Sequence, residues 1–75
     1  MRDSISEQKV KKLATRFKTL RMEQCLSQAA LAQQIGMSDR AISMIERHKR
    51  IPTVLTCFKI AQALGVPLHD ILRDI

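Results

Sequence analysis

The side chains best equipped for specific chemistry crowd into one stretch, SDRAISMIERHKR, between Ser38 and Arg50. Wound as a helix at ~100° per residue, Ile42 and Ile45 fall on one side, and Arg40, Ser43, Met44 and Arg47 on the other. A basic run, Arg47-His48-Lys49-Arg50, follows directly and is broken by Ile51-Pro52. The chemistry open to such a set is recognition without bond-making. Guanidinium forks hold anionic or planar groups through paired hydrogen bonds, and short polar side chains add single contacts. Covalent catalysis finds no footing. No paired carboxylates, H-E-x-x-H, G-x-S-x-G or P-loop spacing is present, and the chain's two glycines fall at a turn and at a helix stop.

Holding those side chains outward requires a particular pair of elements. Leu31 and Ile35 lie one helical turn apart, Gly36 is free to take a left-handed cap, and Ser38 offers an oxygen to cap the next helix. Ser27 can cap the helix before it. Residues 27 to 47 therefore read as two short helices joined by a glycine turn. Periodicity alone favours an ordinary amphipathic surface helix; the turn and the basic run set this one apart.

The remaining elements follow from caps and apolar spacing. Ser4 and Glu7 are spaced as a capping box and predict a first helix running to about Gln24, with residues 1 to 3 frayed. Val10, Leu13, Ala14, Phe17 and Leu20 form its core side, and Lys9, Lys11, Lys12, Arg16, Lys18 and Glu23 its solvated side. Leu26 enters the core. Thr53 starts a fourth helix that ends at Leu64 before Gly65, with Cys57, Ile60, Ala61 and Leu64 at core spacing. A fifth begins near Pro67 and runs to the end. No strand pattern or repeat occurs, so the expected fold is all-α: one domain, residues 1 to 75, of five short helices. Leu68, Ile71, Leu72 and Ile75 exceed what so short a terminal helix needs for docking. They predict a homodimer through this helix and its neighbour, helix four.

Two charges break the pattern. Arg21 lies within the apolar stripe of the first helix, and Glu46 lies on the inner side of the third, beside Ile42. A lone buried guanidinium or carboxylate is costly, so the two are expected to pair as a bidentate bridge from helix one to helix three. The plainer alternative is that both reach the surface along their stems.

Thirteen Lys and Arg against seven Asp and Glu leave a formal charge of +6 on 75 residues, which implies an anionic partner, nucleic acid before a membrane. No apolar run approaches the ~18 residues of a spanning helix, and the charged N-terminus does not resemble a signal peptide, so a cytoplasmic chain is expected. Cys25 and Cys57 fit neither a metal spacing nor a disulfide framework and read as small, reduced, packed side chains. No metal, cofactor or small-molecule ligand is expected.

From Leu20 to Leu68 the chain resembles the phage repressor and Cro-like (XRE-type) helix-turn-helix family. The resemblance rests on Leu20-Arg21, Leu26-Ser27-Gln28, Leu31-Ala32, Ile35-Gly36, Ser38, Ile42-Ser43, Ile45-Glu46-Arg47, Lys49-Arg50 with Pro52, and KIAQALGV from Lys59 to Val66. It implies a compact lambda-repressor-like domain whose third helix enters the DNA major groove, usually as a homodimer on a palindromic site. On these positions Asp39, Arg40, Ser43 and Met44 would contact bases, and Ser27, Gln28, Arg47, Lys49 and Arg50 would hold phosphates. An adaptor or antitoxin-like module on the same fold is the alternative. Where the family usually has glycine, after the first and third helices, this chain has Cys25 and His48, which predicts either positive φ at a non-glycine residue or a different turn.

Overall fold

The computed structural model describes residues 4–75, in which five helices follow one another: α1 (Ser4–Glu23), α2 (Gln28–Ile35), α3 (Asp39–Glu46), α4 (Val54–Leu64) and α5 (Leu68–Ile71). Ser4 is the first residue of α1, and the expected fraying of residues 1 to 3 lies outside the described residues. There is no strand among the described residues. Three helices begin on the expected caps. Ser27 Oγ accepts from the Ala30 N–H at 2.9 Å, Ser38 Oγ from Ala41 at 3.1 Å and Thr53 Oγ1 from Thr56 at 3.1 Å.

Four helices end in one and the same motif. The N–H of Leu26 reaches back to the Arg21 carbonyl (3.1 Å), Met37 to Ala32 (2.9 Å), Lys49 to Met44 (2.8 Å) and Val66 to Ala61 (3.1 Å). Each of these closures needs a left-handed residue just before it. Gly36 and Gly65 supply it at φ 72°, Cys25 at 57° and His48 at 63°. The positive-φ alternative is thus the one the chain adopts at both non-glycine positions. A Cβ on either glycine would meet nothing within 4 Å, so left-handed backbone, not crowding, favours glycine there. Leu26, Met37 and Val66, which follow the left-handed residues, pack against the core. At the fourth ending the same place is held by exposed Lys49, so the chain leaves α3 into solvent with a cation at the turn.

The helices share one core, with Phe17, Leu31, Ile42, Ile45 and Ile60 its largest fully buried side chains. Buried Ala14, Ala32, Ala41 and Ala61 present little bulk, which lets neighbouring backbones approach. Two side chains placed by the sequence on no particular partner, one from α1 and one just after it, finish other helices. Gln24 Nε2 donates to the Leu64 carbonyl at 2.6 Å, capping α4. Arg16 Nη1 donates to the Ile71 carbonyl at 2.7 Å and also to that of Arg73.

Three expectations are corrected. The fifth helix does not run to the end: it stops at Ile71, where Arg16 takes carbonyls that a longer helix would have used, and Asp74 then adopts φ 64°. The four residues expected to face a partner are divided. Ile71 is buried in the chain's own core, Leu68 and Ile75 are half-buried against it, and Leu72 alone is exposed. Cys57 packs as expected, but Cys25 is exposed, because the left-handed turn carries its side chain away from the core. No helix among the described residues is long and apolar enough to cross a membrane.

Candidate nucleic-acid interface

The outward side of α3 is assembled by what the inward side buries. Ala41, Ile42, Ile45 and Glu46 face the core, which leaves Asp39, Arg40 and Arg47 exposed and Ser43 and Met44 half-buried at the surface. These five, with Gln28 from the start of α2 and Lys49 from the turn after α3, line one open concavity. Residues as far apart as 28 and 49 meet there because the Gly36 turn folds α2 back across α3.

A buried polar hub holds that geometry. Arg21 Nε donates to Glu46 Oε2 at 2.7 Å and Arg21 Nη2 to Glu46 Oε1 at 3.0 Å, a fork meeting a fork. Arg21 Nη1 also donates to the Leu26 carbonyl at 2.6 Å, and Gln28 Nε2 donates to Glu46 Oε1 at 3.0 Å. The side chains of Arg21 and Glu46 are 10% and 3% exposed, so one ion pair ties the end of α1, the α1–α2 connection, the first turn of α2 and the last turn of α3. No buried side-chain nitrogen or oxygen among the described residues lacks a partner.

The structure sorts the expected contact residues. Asp39, Arg40, Ser43, Met44, Gln28, Arg47 and Lys49 come together on the concavity; Ser27 and Arg50 are exposed but do not line it. Arg50 instead borders a second cleft, shared with His48, Ile51 and the α1 residues Val10, Lys11 and Ala14. Asp39 Oδ1 accepts from the Arg40 N–H at 2.9 Å, so part of that carboxylate is spent on the helix start. Gln28 was legible as a surface residue at a helix N-terminus but not as a ligand of Glu46. Nothing in its local spacing signals that contact.

A short helix held across another by a glycine turn, its outer side polar and basic, defines the class of helix-turn-helix domains. The chain belongs to the helix-turn-helix family: residues 17–71 match the family model described as "Helix-turn-helix", in agreement with the XRE-type resemblance of its motifs. It is 41% identical over 56 residues to the uncharacterised HTH-type transcriptional regulator y4dJ of Sinorhizobium fredii, spanning 75% of this chain and 73% of that protein. Over 60 residues it is 39% identical to the HTH-type transcriptional regulator SutR of Escherichia coli, spanning 80% of this chain but 34% of SutR. Among solved structures it is similar to the restriction-modification controller protein C.AhdI from Aeromonas hydrophila, with TM-score 0.78 and 28% identity over 85% of this chain and 96% of that one. It is also similar to the hypothetical transcription factor NHTF from Neisseria, with TM-score 0.79 and 31% identity over 88% of this chain and 77% of that one.

Proposed function

We propose that this chain is a sequence-specific DNA-binding transcriptional regulator that acts as a homodimer on a palindromic operator. The observation that carries the reading is the concavity itself: Arg40, Arg47 and Lys49 converge on the free side of a helix whose other side is locked into the core. A helix of this kind fits the major groove with its N-terminal half against base edges. Arg40 can hold guanine O6 and N7 with its fork, Asp39 can accept from cytosine N4, Ser43 can donate or accept, and Met44 offers apolar contact to a thymine methyl. Ser27 and Gln28 at the α2 N-terminus, with Arg47, Lys49 and Arg50, hold phosphates on either side. A two-fold pair of such helices spaced ~34 Å apart would read half-sites one helical turn apart.

Selection of bound sequences from a random duplex pool, followed by a gel shift at stepped salt, tests this. Enrichment of an inverted repeat with a steep loss of affinity as salt rises is the expected outcome. An unenriched pool would mean that α3 reads no sequence. The adaptor reading has one observation in its favour, an exposed apolar patch on α4, but that patch lies off the α3 face.

A further inference from the structure

The cleft that Arg50 borders lies between α1 and the segment that leaves α3. Ala14 of α1 and Ile45 of α3, 2% and 1% exposed, form its floor, and half-buried Val10 and exposed Ile51 wall it. Its rim is charged. Glu7 and Lys11 stand one helical turn apart on α1 with charges that offset, which leaves Arg50 as the unbalanced cation and the His48 ring as a further N–H donor. Among the described residues, no hydrogen bond or ion pair engages the Arg50 guanidinium or the His48 ring. Side chains after α3 alternate between two sites: Arg47 and Lys49 line the open concavity, His48 and Arg50 the cleft. The turn closed by the Lys49 N–H on the Met44 carbonyl, at 2.8 Å, is thus a wall common to both.

We infer that this cleft binds a small amphipathic anion, a carboxylate on a short apolar body, with the body over Ala14 and Ile45 and the head on Arg50 and His48. An apolar floor favours a hydrocarbon body, and a guanidinium fork meets a carboxylate with two parallel hydrogen bonds. A second negative charge on the ligand would face the Glu7 carboxylate, which selects a monoanion. The cleft's volume of about 310 Å³ is at the low end of the ~300–1,000 Å³ of ligand sites, so the body is a single ring or a chain of about six carbons. A ligand so small in a cleft open on one side should bind with a Kd of roughly 0.1–1 mM. Its consequence rests on the DNA-binding reading proposed above, in which Arg50 holds a phosphate. A head held by Arg50 withdraws that contact and engages the turn that presents Lys49, so occupancy should weaken DNA binding by about fivefold, the low end of typical coupling between sites.

Hexanoate and phenylacetate are the probes that test the site; acetate, a head without a body, and hexanol, a body without a head, are the controls. Each is titrated into the full chain at constant ionic strength, followed by backbone-amide NMR and by anisotropy of a bound mixed-sequence duplex, which Arg50 would grip through phosphates whatever the operator. Both probes should shift the Ile45, His48 and Arg50 amides saturably and weaken duplex binding by about fivefold, and the controls should do neither. Arg50→Gln and Ile51→Glu, both at exposed positions, should each raise the probe Kd by about tenfold or more with the thermal midpoint at its native value; either serves if the other unfolds. The inference is overturned by the lack of a saturable shift up to ~10 mM, ten times the weakest expected Kd, or by shifts centred on Arg40 and Arg47 in place of the cleft. A control as effective as the probes, or native-like binding by both variants, would overturn it too. Saturable shifts at the cleft with duplex affinity unchanged uphold the site and reject its coupling to DNA. A chain that binds the probes there but binds no duplex upholds the site and rejects the DNA-binding reading.

Discussion

Removing the Glu46 carboxylate is the most informative single perturbation of this fold. In Glu46→Ala the Arg21 guanidinium, whose side chain is only 10% exposed, loses two of its three hydrogen bonds and keeps the one to the Leu26 carbonyl; Gln28 loses its bond as well. An uncompensated buried charge of this kind costs about 3–5 kcal/mol. At roughly 0.05–0.15 kcal/mol per residue the whole domain is worth about 4–11 kcal/mol, so Glu46→Ala should consume from about a quarter to all of its stability. With a urea m-value of about 1 kcal/mol/M for so small a chain, the midpoint should fall by about 3–5 M or the variant should be unfolded without denaturant. The double variant Arg21→Leu with Glu46→Leu should behave differently. It leaves no orphan charge, and replacing a buried pair by apolar side chains is often neutral or stabilising by about 1–4 kcal/mol. The double should therefore sit far above the sum of the single losses in urea titration. Its DNA affinity should nevertheless drop, because the fork that fixes α3 against α1 and α2 is gone. A Glu46→Ala loss below about 1 kcal/mol, or a double variant as unstable as the two single losses combined, would refute the buried-charge argument.

Three further outcomes are expected. Arg40→Ala should relax base preference at one position per half-site, at about 1–3 kcal/mol of discrimination, whereas Lys49→Ala should weaken all sequences alike and lower the salt slope by about one; selection and salt titration on both variants distinguish them. Cys25→Gly and His48→Gly should each raise stability by up to about 1 kcal/mol by relieving left-handed strain, while Gly36→Ala should lower it by about 1–2 kcal/mol, all read by thermal or urea unfolding. Burial pushes the Cys57 thiol up, so its contribution is complete at neutral pH and is withdrawn as pH rises past the ordinary thiol range toward the folded value. The stability advantage of native protein over Cys57→Ala should accordingly shrink in alkaline buffer, and iodoacetamide at neutral pH should label exposed Cys25 well before buried Cys57.

What this chain's sequence determined by itself is whatever is settled within a few residues. Ser27, Ser38 and Thr53 cap N–H groups three residues on, and Gly36 and Gly65 end helices through the carbonyls just behind them, so helix starts and stops were legible. Arg21 and Glu46 were legible for a different reason. Each violates an apolar pattern, and the cost of a buried charge leaves few solutions other than the partner with the matching anomaly. Only the tertiary structure decided the rest. Arg16 and Gln24 finish helices 55 and 40 residues away, and Gln28 turns to Glu46; no local spacing encodes such meetings. Periodicity likewise marks Ile71, Leu72, Val54, Leu55 and Phe58 as apolar without saying what covers them. Helix packing drew Ile71 into the core and left the α4 residues outside, since the inward side of α4 was already filled by Cys57, Ile60, Ala61 and Leu64.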